Sequence, residues 1–449
     1  MSIALRSSLS RPGLLAVSLL ALAITGCPNK KKPADKDTSS DDKPAKKKAD
    51  KSDSDEPKKK AKKAGVDDDK KSDDDKKSDD DKTAAKSEPS CKIPEGGDIK
   101  VDFTIKKGCS IEHAGNISVR EGATLTIEEG VKLAFGDGEI LRIEYGKLVA
   151  RGTDDAPIVF TSNNKSPGNG DWCGLLLEAK TMNGTVLDHA KLEYAGKSCS
   201  WGAHVLSLYG EIGAKRVAIT NTTFTHSAGE VVHVDYEKAA FAKFDHNTFK
   251  DNDVKWSMAI PANIVGSIGE GNAFEDPVAV SKDISVSETW PKIDVPYIVD
   301  GAINVRSDKE ALTLTLPEGA TLKFLAGAMM SFGEAGGSGL IAKSVKFTSA
   351  NPTPAPSDWS GLLFHDKTTS TNIEGCTFEY AGKPSSWGAG VINFVGVKPS
   401  KLKTFKMTKT MFIKVDDPAI RADDGDCGEL DDKPAGNVID KGKICAKET

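Results

Sequence analysis

Side chains able to do chemistry are few in this chain of 449 residues, which carries 7 His, 8 Cys and 6 Trp. His226, His233 and His246 fall close together, and His233 stands two positions before Asp235. They could meet as a surface cluster, yet none has the HExxH spacing that sets two imidazoles on one helical face around zinc. Asp154-Asp155 stands just before Pro157, where turn formation and solvation account for both. Asp423, Asp424, Asp426, Asp431 and Asp432 gather around Gly425. Calcium could take oxygen ligands from Asp423, Asp424 and Asp426, but the spacing matches no complete loop motif, so a solvated acidic cap is expected there. Two tryptophan pairs remain, Trp172 with Trp201 and Trp359 with Trp387. Aromatic faces stack on sugar rings, which makes these four the candidate ligand-binding residues, although packing between neighbouring strands would use them equally well. Lone tyrosines and lysines carry no sharper signal. No set forms a catalytic constellation, and neither a metal site nor a cofactor is expected.

The elements that position these residues occur twice. Asp171-Trp172-Cys173-Gly174-Leu175-Leu176 returns as Asp358-Trp359-Ser360-Gly361-Leu362-Leu363. Tyr194-Ala195-Gly196-Lys197 and Ser200-Trp201-Gly202-Ala203 return as Tyr380-Ala381-Gly382-Lys383 and Ser386-Trp387-Gly388-Ala389. Self-similarity at a fixed separation marks a repeat architecture. Within each half the texture is strand-like. Thr124-Leu125-Thr126-Ile127 and Leu141-Arg142-Ile143-Glu144-Tyr145 alternate apolar and polar residues, with Gly and Asx between such runs. Phe224, Phe249 and Phe274 each follow an Asn-containing triplet at a constant interval. That interval suits a coil of two or three short strands, so the phenylalanines are expected to form an interior ladder, with the asparagines at turns.

The run Ala123-Thr124-Leu125-Thr126-Ile127-Glu128-Glu129-Gly130-Val131, then Pro157-Ile158-Val159-Phe160-Thr161-Ser162 and Trp172-Cys173-Gly174, resembles the opening coils of right-handed parallel β-helix repeat proteins of the pectate-lyase-like fold. The resemblance covers about residues 97–425. It implies an all-β, right-handed parallel β-helix (a β-solenoid) built from two related cassettes, residues 91–280 and 281–449, the second ending in a C-terminal cap. The fold hosts lyases, hydrolases and non-enzymes alike, so it leaves the activity open. The Asn-Thr-Asp, Gly-His-Gly and Arg-Ile-Lys signatures of polygalacturonases are absent.

Aligning the cassettes sorts the cysteines. Cys173 corresponds to Ser360 and Cys199 to Ser385. Two thiols present together in one copy and absent together from the other predict a disulfide. Cys91 with Cys109, and Cys427 with Cys445, are the nearest pairs at the two ends of the folded region, where a solenoid must close its open edges. Cys376 is left; its counterpart is Ala190, which predicts a small buried side chain on an inward strand face.

Residues 1–26 carry Arg6 and Arg11 followed by an apolar run too short to span a bilayer. Ile24-Thr25-Gly26-Cys27 resembles a bacterial lipobox, which implies that Cys27 is lipidated and anchors the chain to a membrane. Pro28 stands where an acidic residue would imply inner-membrane retention, so outer-membrane sorting is expected, facing the periplasm or the cell surface. Residues 28–90 are a Lys/Asp/Ser-rich run without an aromatic residue, expected to be a disordered linker spanning about 45 Å as a flexible coil. Leader and linker each carry a charge of +2, which with the whole-chain −5 leaves −9 for the remainder. That balance argues against a nucleic-acid partner. The expectation is a lipid-anchored cell-envelope protein acting as a non-catalytic structural or carbohydrate- or protein-binding module. The alternative is a polysaccharide lyase or glycoside hydrolase whose acids converge from separate coils.

Overall fold

The computed structural model describes residues 91–446 apart from 387, 423–425 and 432–434. Cys27, the leader, the linker, Trp387, Asp423, Asp424 and Asp432 lie outside the described residues. Nearly every strand pairs in parallel with the strand one coil later, and the chain is a parallel β-helix.

Three faces wind through the first cassette. Phe103–Ile105, Ala123–Ile127, Thr185–Asp188 and Val217–Thr220 lie on face one. Face two carries Lys132–Phe135, Ile158–Ser162, Ala190–Glu193 and Thr223–Thr225. Face three carries Ile117–Val119, Gly174–Thr181, Gly202–Tyr209 and Ala228–Val234. Period-two alternation sends every second side chain inward, so Leu125, Leu133, Leu141, Leu148 and Phe160 are at most 1% exposed. Burying such a side chain fully stabilises by roughly 1.5–3 kcal/mol, and stacking coils repeats the gain. The strand Ile140–Arg151 turns the corner from face three to face one, with a register shift between Ile143 and Tyr145. Gly146 is required at that corner, because a Cβ there would collide with the Ala123 carbonyl oxygen.

The phenylalanine ladder is present. Phe224, Phe249 and Phe274 are interior, with ring centroids 5.0 and 4.9 Å apart. Beside them, Thr222 donates its amide to the Asn247 side-chain oxygen (3.1 Å), and Asn247 donates its own to Asn272 (3.0 Å). The left-handed residue of each turn is the one before: Asn221, His246 and Gly271 have φ of 49°, 55° and 72°.

Face three runs unbroken through the junction. Met258–Pro261 pairs with Val278–Ser281, which pairs with Tyr297–Val299 and then Thr321–Phe324. The described residues between 91 and 446 thus form one solenoid. Two new sheets open beside this face, one from Ala302–Val305 and one from Glu288–Thr289. Equivalent strands do not keep their faces. Ile158–Ser162 lies on face two, but its counterpart Lys346–Ser349 lies on the continuation of face three. Gly174–Thr181 lies on face three, whereas its counterpart Gly361–His365 lies on a new sheet. The second cassette is advanced by one face.

Cys91–Cys109 and Cys427–Cys445 are bonded near the two ends, with Cα atoms 5.2 and 6.2 Å apart. Cys173–Cys199 is bonded at 6.0 Å. Cys376 is fully buried, and burial pushes its thiol up to about 11.

Candidate functional site

After Tyr194 the chain leaves the coil and returns over the outside of face three. Ser198–Cys199 pairs antiparallel with the start of Gly202–Tyr209. The disulfide ties this loop to Cys173, and Trp201 and Cys199 pack on Ile140, Cys173 and Leu176. Leu176 points outward from its strand yet is 2% exposed, so the loop builds a second small apolar cluster on the outer surface of the helix.

Where the loop rejoins the sheet, neighbouring coils bring three polar side chains together. His204 pairs in register with Glu230, and Ser207 with His233. Glu230 Oε2 lies 2.7 Å from His233 Nδ1 and 3.3 Å from His204 Nδ1. The two imidazoles stack with centroids 4.1 Å apart at 18°. All three are partly exposed, His204 least at 11%. Burial would raise the Glu230 carboxyl, but hydrogen bonds and charge from His204 and His233 outweigh it and hold it down to about 2. The carboxylate is therefore ionised at any ordinary pH. Ala203, Gly229, Val254 and Lys255 line a concavity over it. The Lys255 ammonium is drawn 4.2 Å over the Trp256 ring.

A different surface lies at the corner between faces three and one. Glu121 is 3.3 Å from Lys100, Glu144 is 2.8 Å from Arg120, and Glu178 is 2.6 Å from Arg142. Tyr145 and Tyr209 flank this ladder, 47% and 49% exposed, with Lys180 5.8 Å above the Tyr145 ring. Tyr145 pairs with Lys180 and Tyr209 with Glu178, so the tyrosines are two coils apart, roughly 10 Å along the axis. Each carboxylate is matched by a cation, which suits hydrogen bonding to hydroxyls better than proton transfer.

The residues singled out in the sequence divide differently. Trp172 and Trp359 are fully buried, stacked on Phe135 (4.5 Å) and Phe324 (3.9 Å), and donate Nε1 to the carbonyls of Glu193 and Glu379. Neither can present a face to a sugar; they are core. Trp201 is half-buried in the outer cluster. His226 and His246 do not join His233. They occupy left-handed turn positions (φ 50° and 55°), His226 after the face-two strand Thr223–Thr225 and His246 after the face-one strand Lys243–Asp245. His204 takes their place, one coil away from Glu230. Asp154 is 95% exposed and lies 3.4 Å from His189. Asp426 accepts from the Gly428 amide and the Ser400 hydroxyl. Asp171 and Asp358 serve as loop anchors, each accepting a 2.6 Å hydrogen bond from a serine, Ser162 or Ser349.

Residues 97–205 match a family model described as a pectate-lyase like beta helix domain. No curated protein and no solved structure matches the chain.

Proposed function

We propose that the protein is a lipid-anchored component of the bacterial cell envelope whose β-helix binds an extended polysaccharide without cleaving it. The observation that carries this reading is the corner surface, where Tyr145 and Tyr209 stand exposed two coils apart beside a charge-neutralised ladder of Arg120, Glu144, Arg142 and Glu178. Exposed aromatic faces stack on sugar rings, and paired Arg and Glu groups donate to and accept from hydroxyls. The lipobox-like Ile24-Thr25-Gly26-Cys27 supports the anchor, and three disulfides fit an oxidising compartment.

A glycan-array screen of the full chain, run beside a reducing-end assay on acidic and neutral polysaccharides, tests the reading. Binding is expected without product release. Tyr145→Ala and Tyr209→Ala should each weaken it about ten-fold, near 1.4 kcal/mol, with an unchanged melting temperature. Release of product, or binding indifferent to both substitutions, overturns it. Palmitate labelling that survives Cys27→Ser would remove the anchor from the proposal.

A further inference from the structure

We infer that His204, Glu230 and His233 form a binding site for a divalent transition metal of the zinc class. Three donor atoms converge there: two imidazole Nδ1 atoms and a carboxylate oxygen between them, at 3.3 and 2.7 Å. Zinc bound through nitrogen and oxygen at about 2.0–2.1 Å sets tetrahedral donors roughly 3.3 Å apart. His204 Nδ1 already stands at that distance from Glu230, and His233 Nδ1, now at hydrogen-bonding distance, would have to move out by about 0.6 Å. The stacked rings would have to open a little to aim both lone pairs at one point. A set of two nitrogens and one oxygen suits zinc, copper or nickel; calcium and magnesium require more oxygen ligands.

The site is built into the coil. Gly202 (φ 112°) stands against the ring, where a Cβ would collide with His204 Nε2, so the loop is shaped to this imidazole. The Cys173–Cys199 bridge holds that loop in place. His204 and Glu230 line a surface concavity together with Asp253 and Lys255, and the Lys255 ammonium is turned onto Trp256.

The second cassette supplies an internal control. Counting by strand register from Leu206 and Ile392, the counterparts of His204, Glu230 and His233 are Gly390, Pro418 and Arg421. Three donors in one copy are replaced together by residues that cannot bind a cation.

The test uses the untagged full chain. Cobalt(II) titration followed by visible absorption, with zinc competition by equilibrium dialysis, should give one ion per chain and the intense bands of a four- or five-coordinate centre. His233→Asn and Glu230→Gln should each weaken zinc binding at least a hundred-fold. Zinc should shift the Nδ1 resonances of two histidines in nitrogen NMR of the unmodified chain, a readout that needs no variant to fold. No stoichiometric uptake, unmoved Nδ1 resonances, or uptake unaffected by either substitution each overturns the proposal. The last outcome would place the metal on the acidic residues of the linker or C-terminus.

Discussion

The loop at residues 195–203 and its counterpart at residues 381–389 descend from one sequence and leave matching strands, yet only the first is bonded down. In the first cassette Cys173 and Cys199 are joined, and the histidine-glutamate cluster sits at the loop's edge. In the second, Ser360 donates to the Gly327 carbonyl and Ser385 bonds within its own turn to Gly388. Asn393 fills the position of Ser207 and donates to the Gly390 carbonyl. Beneath these loops the copies agree closely. Each tryptophan stacks on a phenylalanine at 12–13° and donates to a glutamate carbonyl one coil on. Thr161 bonds Glu193, and Thr348 bonds Glu379, both at 2.8 Å. The interior of a coil tolerates little change because each stack also supports its neighbours. The outer loop reaches neighbouring coils through the Cys173 bridge and the packing of Trp201 on Ile140 but carries no part of the interior stack, and there the copies have diverged in chemistry.

The comparison can be pressed at three depths. At the core, Trp172→Ala and Trp359→Ala should cost about the same, near 4 kcal/mol each, measured by denaturant unfolding. A large inequality would mean that the two interiors are less alike than their geometry. At the loop, converting Cys173 and Cys199 to serine makes the first copy resemble the second. The bridge closes a separation of 26 residues, worth about 3 kcal/mol in the loop-closure picture. Hydrogen exchange should rise in peptides covering residues 195–203 and 174–177 and stay unchanged at 381–390. Exchange rising equally in both loops would contradict independent outer surfaces.

The third depth is charge. Glu230 titrates near 2 in the fold against an ordinary 4.5, so the fold binds its proton less readily than the unfolded chain does. Its stabilisation is complete above pH 4.5 and is lost as pH falls toward 2, on the order of 2–3 kcal/mol. Acid should therefore raise exchange around residues 228–234 before it does so around 418–422, where Pro418 replaces the glutamate. Glu230→Gln should flatten that difference, and an unaltered acid response in the variant would assign the stabilisation elsewhere.

Much of the fold is legible in the chain because a solenoid writes its geometry into local spacing. The alternation through Thr124-Leu125-Thr126-Ile127 predicts a strand that is present, and Phe224, Phe249 and Phe274 report the coil length directly. The one-face advance is not legible, since each cassette keeps its own internal order and only the junction shifts it. The functional surfaces are harder still. His204 and Glu230 are far apart along the chain but adjacent in space, so proximity in sequence pointed to His226 and His246 instead. Tyr145 ends a run whose alternation would carry it inward, and the register shift after Ile143 turns it out. Trp172 and Trp359 are conspicuous as repeated aromatics because each is buried against a phenylalanine, whereas Trp201 shares the repetition and lies in the outer cluster.

The advance by one face also sets how many hands the molecule can offer to a single filament. A straight polymer lying along the axis beside face three of the first cassette meets, in the second, the strands that correspond to face two. Equivalent patches on the two cassettes look out in different directions around the shaft, so they cannot add their affinities on one unbent strand. The aromatic patch itself is not duplicated, since Val395 stands at the strand position of Tyr209, so a filament proposed to bind there would be gripped by the first cassette alone, from one side of the shaft.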